Sequence, residues 1–191
     1  MRHVIKYLVI MIVALILGSF TAWLGVFKIS HVTYIKNGAW RINTAIGSRE
    51  VDIYTRAYVA AKLLFALNKS EALYYTAFTD DEGIPLSTNC NYRIEGKDLD
   101  AGWWSITVYG PDQFLVPNKQ NRYSYTNDEL ISNEKKNYVI HLSSNPKEGN
   151  WLPTGKQGSF NLVLRLYNPA PSIYKNLATC ELPRIIKEGC R

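Results

Sequence analysis

Residues 160–167 read FNLVLRLY, and every second residue in this stretch is a large apolar one. The apolar set is Phe160, Leu162, Leu164 and Leu166. The intervening set is Asn161, Val163, Arg165 and Tyr167. Because successive side chains of a strand point to opposite faces, the pattern predicts a strand with one face in a core and the other outside it.

A second stretch, residues 103–109, reads WWSITVY and alternates in the same way. Its apolar face would carry Trp104, Ile106 and Val108. Its other face would carry Trp103, Ser105, Thr107 and Tyr109. Gly110 and Pro111 follow directly and are residues that end strands, so this stretch predicts a second amphipathic strand.

Shorter strands are predicted over residues 72–79, 89–94 and 138–142, with turn-forming residues between them. The first two of these strands are predicted to form a hairpin around residues 80–83, and residues 117–128 to form a long polar loop. Strands at spacings of about ten residues favour a mainly β fold, an antiparallel β-sandwich of jelly-roll-like type. One amphipathic helix, residues 50–67, is expected to pack on it after a cap at Ser48. Its apolar stripe is Val51, Tyr54, Tyr58, Ala61 and Phe65.

The 191-residue chain has a net charge of +6, and the excess lies near its N-terminus. Residues 1–49 hold six of the 22 basic residues and no acid, so the other 16 basic residues balance all 16 acidic ones. A neutral globular part offers no basic surface for DNA or RNA, and we expect no nucleic-acid partner. There is no CxxC motif and the three histidines are scattered, so we expect no metal site and no cofactor.

Residues 7–27, YLVIMIVALILGSFTAWLGVF, carry no charge and are long enough to cross a bilayer as a helix. The predicted organisation is a cytoplasmic tail (1–6), a signal-anchor helix (7–27) whose partner is the lipid bilayer, a tether (28–40) and the β-sandwich domain (41–191). A cleaved signal peptide is the alternative. However, its best cleavage site would place the bulky Phe20 where a small residue is needed.

The basic residues that flank this helix are almost evenly divided between its two ends, so charge alone does not fix its orientation. The short N-terminal tail and the cysteines favour a single-pass inner-membrane protein with its C-terminal domain in the periplasm. A domain that faces the cytosol is the alternative. In an oxidising compartment we expect a Cys90–Cys190 bond, because it closes the longer loop, and Cys180–Cys190 is the other option.

Six short motifs carry a family resemblance. They lie at residues 52–57, 71–75, 103–109, 121–124, 150–153 and 164–167. Together they make the chain, from about Gly38 onward, similar to the bacterial family called domain of unknown function 1214, in a short, membrane-anchored version. The resemblance implies a jelly-roll-like sandwich and a place in the cell envelope. It implies no activity, because the family's function is itself unsettled.

No nucleophile elbow, zinc-protease motif, P-loop or dinucleotide fingerprint is present, so no catalytic residue is predicted. The polar faces of the two best strands, with two loops, could form a groove for a glycan or a peptide. Its candidate residues are Tyr109, Arg122, Tyr123, Trp151, Arg165 and Tyr167. The alternative is that these side chains only satisfy loop backbones. The function predicted is a binding or structural module, with an envelope hydrolase acting through the same Tyr/Arg-lined groove as the alternative.

Overall fold

The computed structural model describes residues 2–29, 33–48, 50–62, 66–131, 137–156 and 158–191. Its helices are α1 (Arg2–Leu24), continued by a π-helical turn (Gly25–Ile29), α2 (Ile53–Lys62) and α3 (Pro171–Lys175). Its strands are β1 (Tyr34–Asn37), β2 (Trp40–Asn43), β3 (Ala72–Ala77), β4 (Cys90–Lys97), β5 (Ala101–Tyr109), β6 (Ser124–Thr126), β7 (Asn137–Ser143), β8 (Trp151–Pro153), β9 (Asn161–Pro169) and β10 (Arg184–Cys190).

The strands form two sheets, which confirms the predicted mainly β fold. A six-stranded sheet has the order β1-β2-β3-β9-β5-β6, and a four-stranded sheet has the order β10-β4-β7-β8. The larger sheet is antiparallel throughout. In the smaller sheet β7 and β8 run parallel, with His141 opposite Trp151, so the prediction of purely antiparallel strands needs this one correction.

The core lies between the two sheets and contains the predicted apolar face of each long strand. The prediction that the opposite face lies outside is wrong in part, because Ser105, Thr107, Asn161 and Val163 are also buried. Leu162, Leu164 and Leu166 of β9 are fully buried. The rings of Trp104 on β5 and Tyr138 on β7 join the sheets, with their centroids 5.0 Å apart. Two sheets that bury one continuous apolar layer make a sandwich.

The predicted hairpin between residues 72–79 and 89–94 is wrong. β3 pairs with β2 and β9 in the larger sheet, whereas β4 pairs with β10 and β7 in the smaller one. Between them, the buried Asp80 accepts hydrogen bonds at Oδ1 from the backbone N–H groups of Glu82 (3.1 Å) and Ile84 (2.8 Å). This turn reverses the chain locally, after which the chain crosses to the other sheet.

The predicted helix over residues 50–67 is shorter than expected, and its cap differs. Asp52 caps α2 in place of Ser48, with Oδ1 accepting from the N–H groups of Tyr54 (2.9 Å) and Thr55 (3.1 Å). Residues 66–68 are not helical, and Phe65 lies outside the described residues. Serine and aspartate cap almost equally well, so sequence alone could not choose between them.

Further elements depart from the sequence predictions. β6 lies inside the predicted polar loop, residues 117–128, where it pairs with β5. β1 lies within the predicted tether, residues 28–40, and forms a hairpin with β2 through Gly38, whose φ is +60°. α3 begins with a proline, which is well suited to the first turn of a helix. β10 occupies the predicted irregular tail and pairs along β4.

Among the described residues, one helix, Arg2–Lys28, is long and apolar enough to cross a membrane. A signal sequence at the N-terminus would meet the same test. No residue of α1 is buried against the rest of the chain.

Candidate functional site

The six predicted groove residues fall into three separate groups in the structure. Arg165 and Tyr109 form one group on β9 and β5, and Tyr167 forms another with Trp103. Arg122, Tyr123 and Trp151 form the third, beside β6 and β8. Whether any of them binds a ligand stays a prediction.

Arg165 lies on the face of the larger sheet that points away from the core, and its guanidinium is held by neighbours on β5. It donates from Nη1 to Thr107 Oγ1 (2.9 Å) and from Nη2 to the Tyr109 hydroxyl (2.6 Å). The guanidinium carbon also lies 5.5 Å from the centroid of the Tyr109 ring. Thr107 is itself buried, and both terminal nitrogens of Arg165 are engaged, so this group stabilises the sheet.

Tyr167 lies opposite Trp103 across the β5–β9 pair. The two ring centroids are 5.1 Å apart. Such cross-strand aromatic pairs stabilise a sheet by packing. The pair lies on the same outer face of the larger sheet as Arg165, two residues along β9.

Arg122 is anchored at one nitrogen. Its Nη1 donates to the Tyr125 hydroxyl (3.0 Å) and to the backbone carbonyl of Trp151 (3.3 Å). The same hydroxyl accepts from the Trp151 backbone N–H (3.1 Å). Nε and Nη2 of Arg122 make no hydrogen bond to any residue within the described ranges, and the side chain is exposed.

Two asparagine side chains, neither among the six predicted groove residues, fix the backbone of Arg122 and of the neighbouring loop. Asn118 pairs with both backbone groups of Arg122, accepting from its N–H (3.0 Å) and donating to its carbonyl (2.9 Å). Asn150 is buried, and donates to the carbonyls of Ile131 and Val139, at 2.9 Å each. Such side-chain-to-backbone bonds hold irregular loops in one conformation.

A cavity of about 580 Å³ opens beside these residues, and we call it the Arg122 cavity. Its lining is Gln120, Asn121, Arg122, Tyr123, Ser124, Tyr125, Glu129, Ile131, Gly149 and Asn150. The lining brings together one cation, one carboxylate, amides, hydroxyls and two tyrosine rings. Such a surface can hydrogen-bond a ligand rich in hydroxyl or amide groups and stack on its flat faces.

A larger cavity, of about 1020 Å³, lies between α3 and the ends of β4 and β7 and contains none of the six predicted residues. Its acidic side chains are engaged. Glu181 pairs with Lys97 (2.9 Å), Asp98 accepts from Trp104 Nε1 (3.0 Å), and Asp100 accepts from Ser172 (2.9 Å). Among the described residues no group of three or more His, Cys, Asp or Glu could hold a metal ion.

Two buried tyrosines lie near this larger cavity. Burial, and secondarily the negative charge of Asp98, raises the pKa of Tyr138. Burial, with the neighbouring Cys180 thiol, raises the pKa of Tyr75. The Tyr75 hydroxyl donates to the Leu177 carbonyl (3.2 Å), whereas the Tyr138 hydroxyl has no hydrogen-bond partner in the part of the chain that the structure describes.

Cys90 and Cys190 form a disulfide, and they are directly opposite each other in the β4–β10 pair. Cys180 is a free thiol. Its Sγ lies 3.5 Å from Asn37 Nδ2 and 3.6 Å from the Tyr75 hydroxyl.

The family described as "Protein of unknown function (DUF1214)" matches residues 71–171. The crystal structure of a protein from Vibrio parahaemolyticus superposes with a TM-score of 0.60 at 22% identity, covering 73% of this chain and 36% of that one. An uncharacterised protein from Burkholderia cenocepacia gives a TM-score of 0.43 at 16% identity, over 63% of this chain and 30% of that one. The chain therefore spans about a third of the length of these two structures. No curated protein matches the sequence.

Proposed function

The chain belongs to the DUF1214 family, whose function is unknown, and we propose that it is a membrane-anchored binding module of the bacterial envelope. In this proposal α1 crosses the inner membrane, the sandwich lies in the periplasm, and the Arg122 cavity binds a glycan or a peptide.

The surface of α1 supports the anchor. Large apolar side chains cover it, and no residue of the helix is buried against the described parts of the domain. Apolar surface left uncovered by protein is stable in the hydrocarbon of a bilayer and costly in water. The helix is thus suited to lipid.

The cysteines support the periplasmic side. Cys90 and Cys190 are 100 residues apart in sequence and are joined across the β4–β10 pair. Disulfides between such distant residues persist in oxidising compartments and are rare in the cytosol. In the cytosol, glutathione and thioredoxin would keep these two thiols reduced.

The partly unoccupied guanidinium of Arg122 is the observation that carries the binding proposal. Nη1 fixes the side chain on Tyr125 and Trp151, while Nε and Nη2 have no partner among the described residues. A preorganised arginine with free donors binds carbonyl, hydroxyl or carboxylate oxygens without first giving up a protein contact. Arg165, by contrast, already uses both terminal nitrogens.

The test is binding of defined cell-wall fragments, sugar chains and stem peptides assayed separately, to the full-length protein in detergent. We expect Arg122→Ala to weaken binding at least tenfold while changing the free energy of unfolding by less than about 1 kcal/mol. Arg122→Lys, which keeps the charge without the planar fork, should recover part of the affinity. Tyr167→Phe is the matched control and should bind normally.

Two results would oppose this assignment. Binding that survives Arg122→Ala would move the site elsewhere, and wild-type protein that retains neither fragment class would remove the binding function. Mass spectrometry of the incubated fragments tests the hydrolase alternative, because a binding module returns them intact.

A further inference from the structure

Helix α2 packs against the end of α1. A Cβ added to Gly25 would lie 2.7 Å from Tyr54 Cε1, so the tyrosine ring rests directly on the glycine backbone. One turn further along α2, the ring of Tyr58 meets the ring of Phe27 edge-on, with 6.3 Å between the centroids. Two contacts one helical turn apart fix α2 beside the π-helical turn that continues α1.

These contacts place α2 at a defined level relative to the apolar span. The candidate span ends at Lys28. Gly25 and Phe27 lie within its last turn, roughly 5 Å of helix from its charged end. Tyr54 and Tyr58 therefore lie at the depth where a bilayer changes from hydrocarbon to headgroups, which is where tyrosine and tryptophan rings are enriched.

The side chains on α2 differ sharply in exposure. Thr55 is 1% exposed and marks the side that faces the protein. Ile53, the first residue of the helix, is 73% exposed, and Tyr54 is 47% exposed. At the same level, Trp23 on α1 is 48% exposed and Phe27 on the π-helical turn is 41% exposed. Ring contacts from Trp23 to Phe27 (6.2 Å) and from Phe27 to Tyr58 connect the two helices, so exposed aromatic side chains of α1 and α2 lie side by side.

We propose that α2 lies in the headgroup layer of the membrane that α1 spans, with Ile53 and Tyr54 in contact with lipid. The partner of this surface is the bilayer, because the surface is continuous with the face of α1 that lipid would cover. This inference rests on the proposed anchor. Its consequence is that the sandwich is held at a fixed angle to the membrane by two helices instead of swinging on one tether.

The test uses the full-length protein in phosphatidylcholine–phosphatidylglycerol vesicles. Ile53→Cys is made in a Cys180→Ser background and labelled with the polarity-sensitive fluorophore NBD. Because Cys90 and Cys190 are joined in a disulfide, residue 53 then carries the reactive thiol. The matched control is Phe114→Cys, because Phe114 is also large, apolar and 70% exposed.

Phe114 lies at the opposite end of the larger sheet from the anchor. Phe114 follows β5, which ends at Tyr109. Val108, next to that end, pairs with Leu162 on β9, Leu162 pairs with Ala77 on β3, and Ala77 pairs with Trp40 beside the Gly38 turn. The chain enters this sheet at Tyr34, the other end of β1. A label at residue 114 should therefore remain in water whichever way α2 lies.

We expect the label at residue 53 to emit at shorter wavelength than the label at 114, and nitroxide lipids to quench it at least threefold more. Vesicle-retained, carbonate-resistant protein whose residue 53 emits as residue 114 does would overturn the inference and leave the anchor standing. Protein released by carbonate would instead remove the anchor, and with it the premise of the inference. Circular dichroism that matches the wild type shows that each labelled variant is folded.

Discussion

Arg165 and Arg122 differ in how many of their donors the protein uses, and this difference separates a structural arginine from a candidate binding one. Arg165 is half-buried and donates to both Thr107 and Tyr109. Truncating it would leave the buried Thr107 hydroxyl without this bond. We expect Arg165→Ala to lower the free energy of unfolding by about 2 kcal/mol, as is typical for hydrogen bonds to a charged group.

Urea unfolding of the full-length protein in detergent, followed by tryptophan fluorescence, measures this loss. Arg122→Ala is the control and should change the free energy of unfolding by less than about 1 kcal/mol, because the Arg122 side chain is exposed and the Tyr125 hydroxyl keeps its bond to the Trp151 N–H. Equal stabilities of the Arg165→Ala variant and the wild type would refute the structural role.

Tyr138 and Tyr75 offer a matched pair of buried hydroxyls. Burial raises the pKa of both, so the folded state keeps protons that the unfolded chain loses above about pH 10. Their contribution to stability is complete below that pH. It falls as the pH rises further, by about 1.4 kcal/mol per pH unit for each tyrosine.

Tyr138→Phe should therefore flatten the alkaline loss of stability. At pH 7 it should be neutral or stabilising by about 1 kcal/mol, because the hydroxyl it removes has no partner among the described residues. Tyr75→Phe should flatten the alkaline loss too, but cost about 1 kcal/mol at pH 7 through its lost bond to Leu177. Unfolding curves at pH 7 and pH 10.5 distinguish the two, and a destabilised Tyr138→Phe at pH 7 would contradict the assignment.

At the scale of elements, β10 is an edge strand whose far end is fixed by a disulfide. The bond joins Cys190 to Cys90, 100 residues away, and a loop of that size is worth about 4 to 5 kcal/mol in the chain-entropy account. We expect Cys90→Ala/Cys190→Ala to lose up to about 4 kcal/mol and to expose the β10 amides first in hydrogen exchange. Cys180→Ala, which breaks no bond, should cost less than about 1 kcal/mol.

The alternation and composition of apolar residues were enough to predict five of the ten strands that the structure describes, β3, β4, β5, β7 and β9. β5 and β9 place the predicted apolar set in the core, because burial of one face imposes a period of two. The other face was predicted to lie outside the core, yet Ser105, Thr107, Asn161 and Val163 on it are also buried. Which strands pair with one another was harder to predict from the sequence. Nothing in residues 72–94 distinguishes a hairpin from a crossover, since both begin with a turn such as the one that Asp80 holds. β10 was missed because only Ile185 of its seven residues is buried.

For the candidate site too, the sequence predicted which residues are involved but not which contacts they make. Sequence selected Arg122 and Arg165 as equivalent, because both are arginines beside aromatic residues. Their hydrogen-bond partners distinguish them. Arg122 donates to Tyr125 and Trp151. Arg165 donates to Thr107 and Tyr109. Such contacts depend on strand register and loop path. A single sequence does not specify either to the precision of one hydrogen bond.

At the scale of the whole molecule, the Arg122 cavity and the helix proposed as the anchor lie toward opposite ends of the larger sheet. The chain enters that sheet at Tyr34, and the hairpin turn at Gly38 marks the other end. The backbone carbonyl of Tyr123 accepts from the Val108 N–H at 3.1 Å, and Val108 lies level with that turn across the paired strands. A sandwich anchored at one end would thus present this cavity away from the membrane, toward whatever occupies the space beyond it.

The orientation of the anchor decides which compartment that space is. Arg2 and Lys6 precede the span, whereas Lys28, Lys36 and Arg41 follow it, so the positive-inside rule is nearly balanced here. The disulfide favours the periplasm. We expect alkaline phosphatase fused after Arg191 to be active and a cytoplasm-dependent fluorescent reporter at the same position to be dark.

Because the balance of charges is close, orientation should respond to small changes at the N-terminus. Arg2→Glu/Lys6→Glu removes both basic residues before the span, and should invert a measurable fraction of the molecules and lower phosphatase activity per molecule. Lys28→Gln/Lys36→Gln removes basic residues after it and should preserve or raise that activity. An inactive phosphatase fusion on the unaltered chain, with a bright cytoplasmic reporter, would place the sandwich in the cytosol and leave the Cys90–Cys190 bond without an oxidising environment.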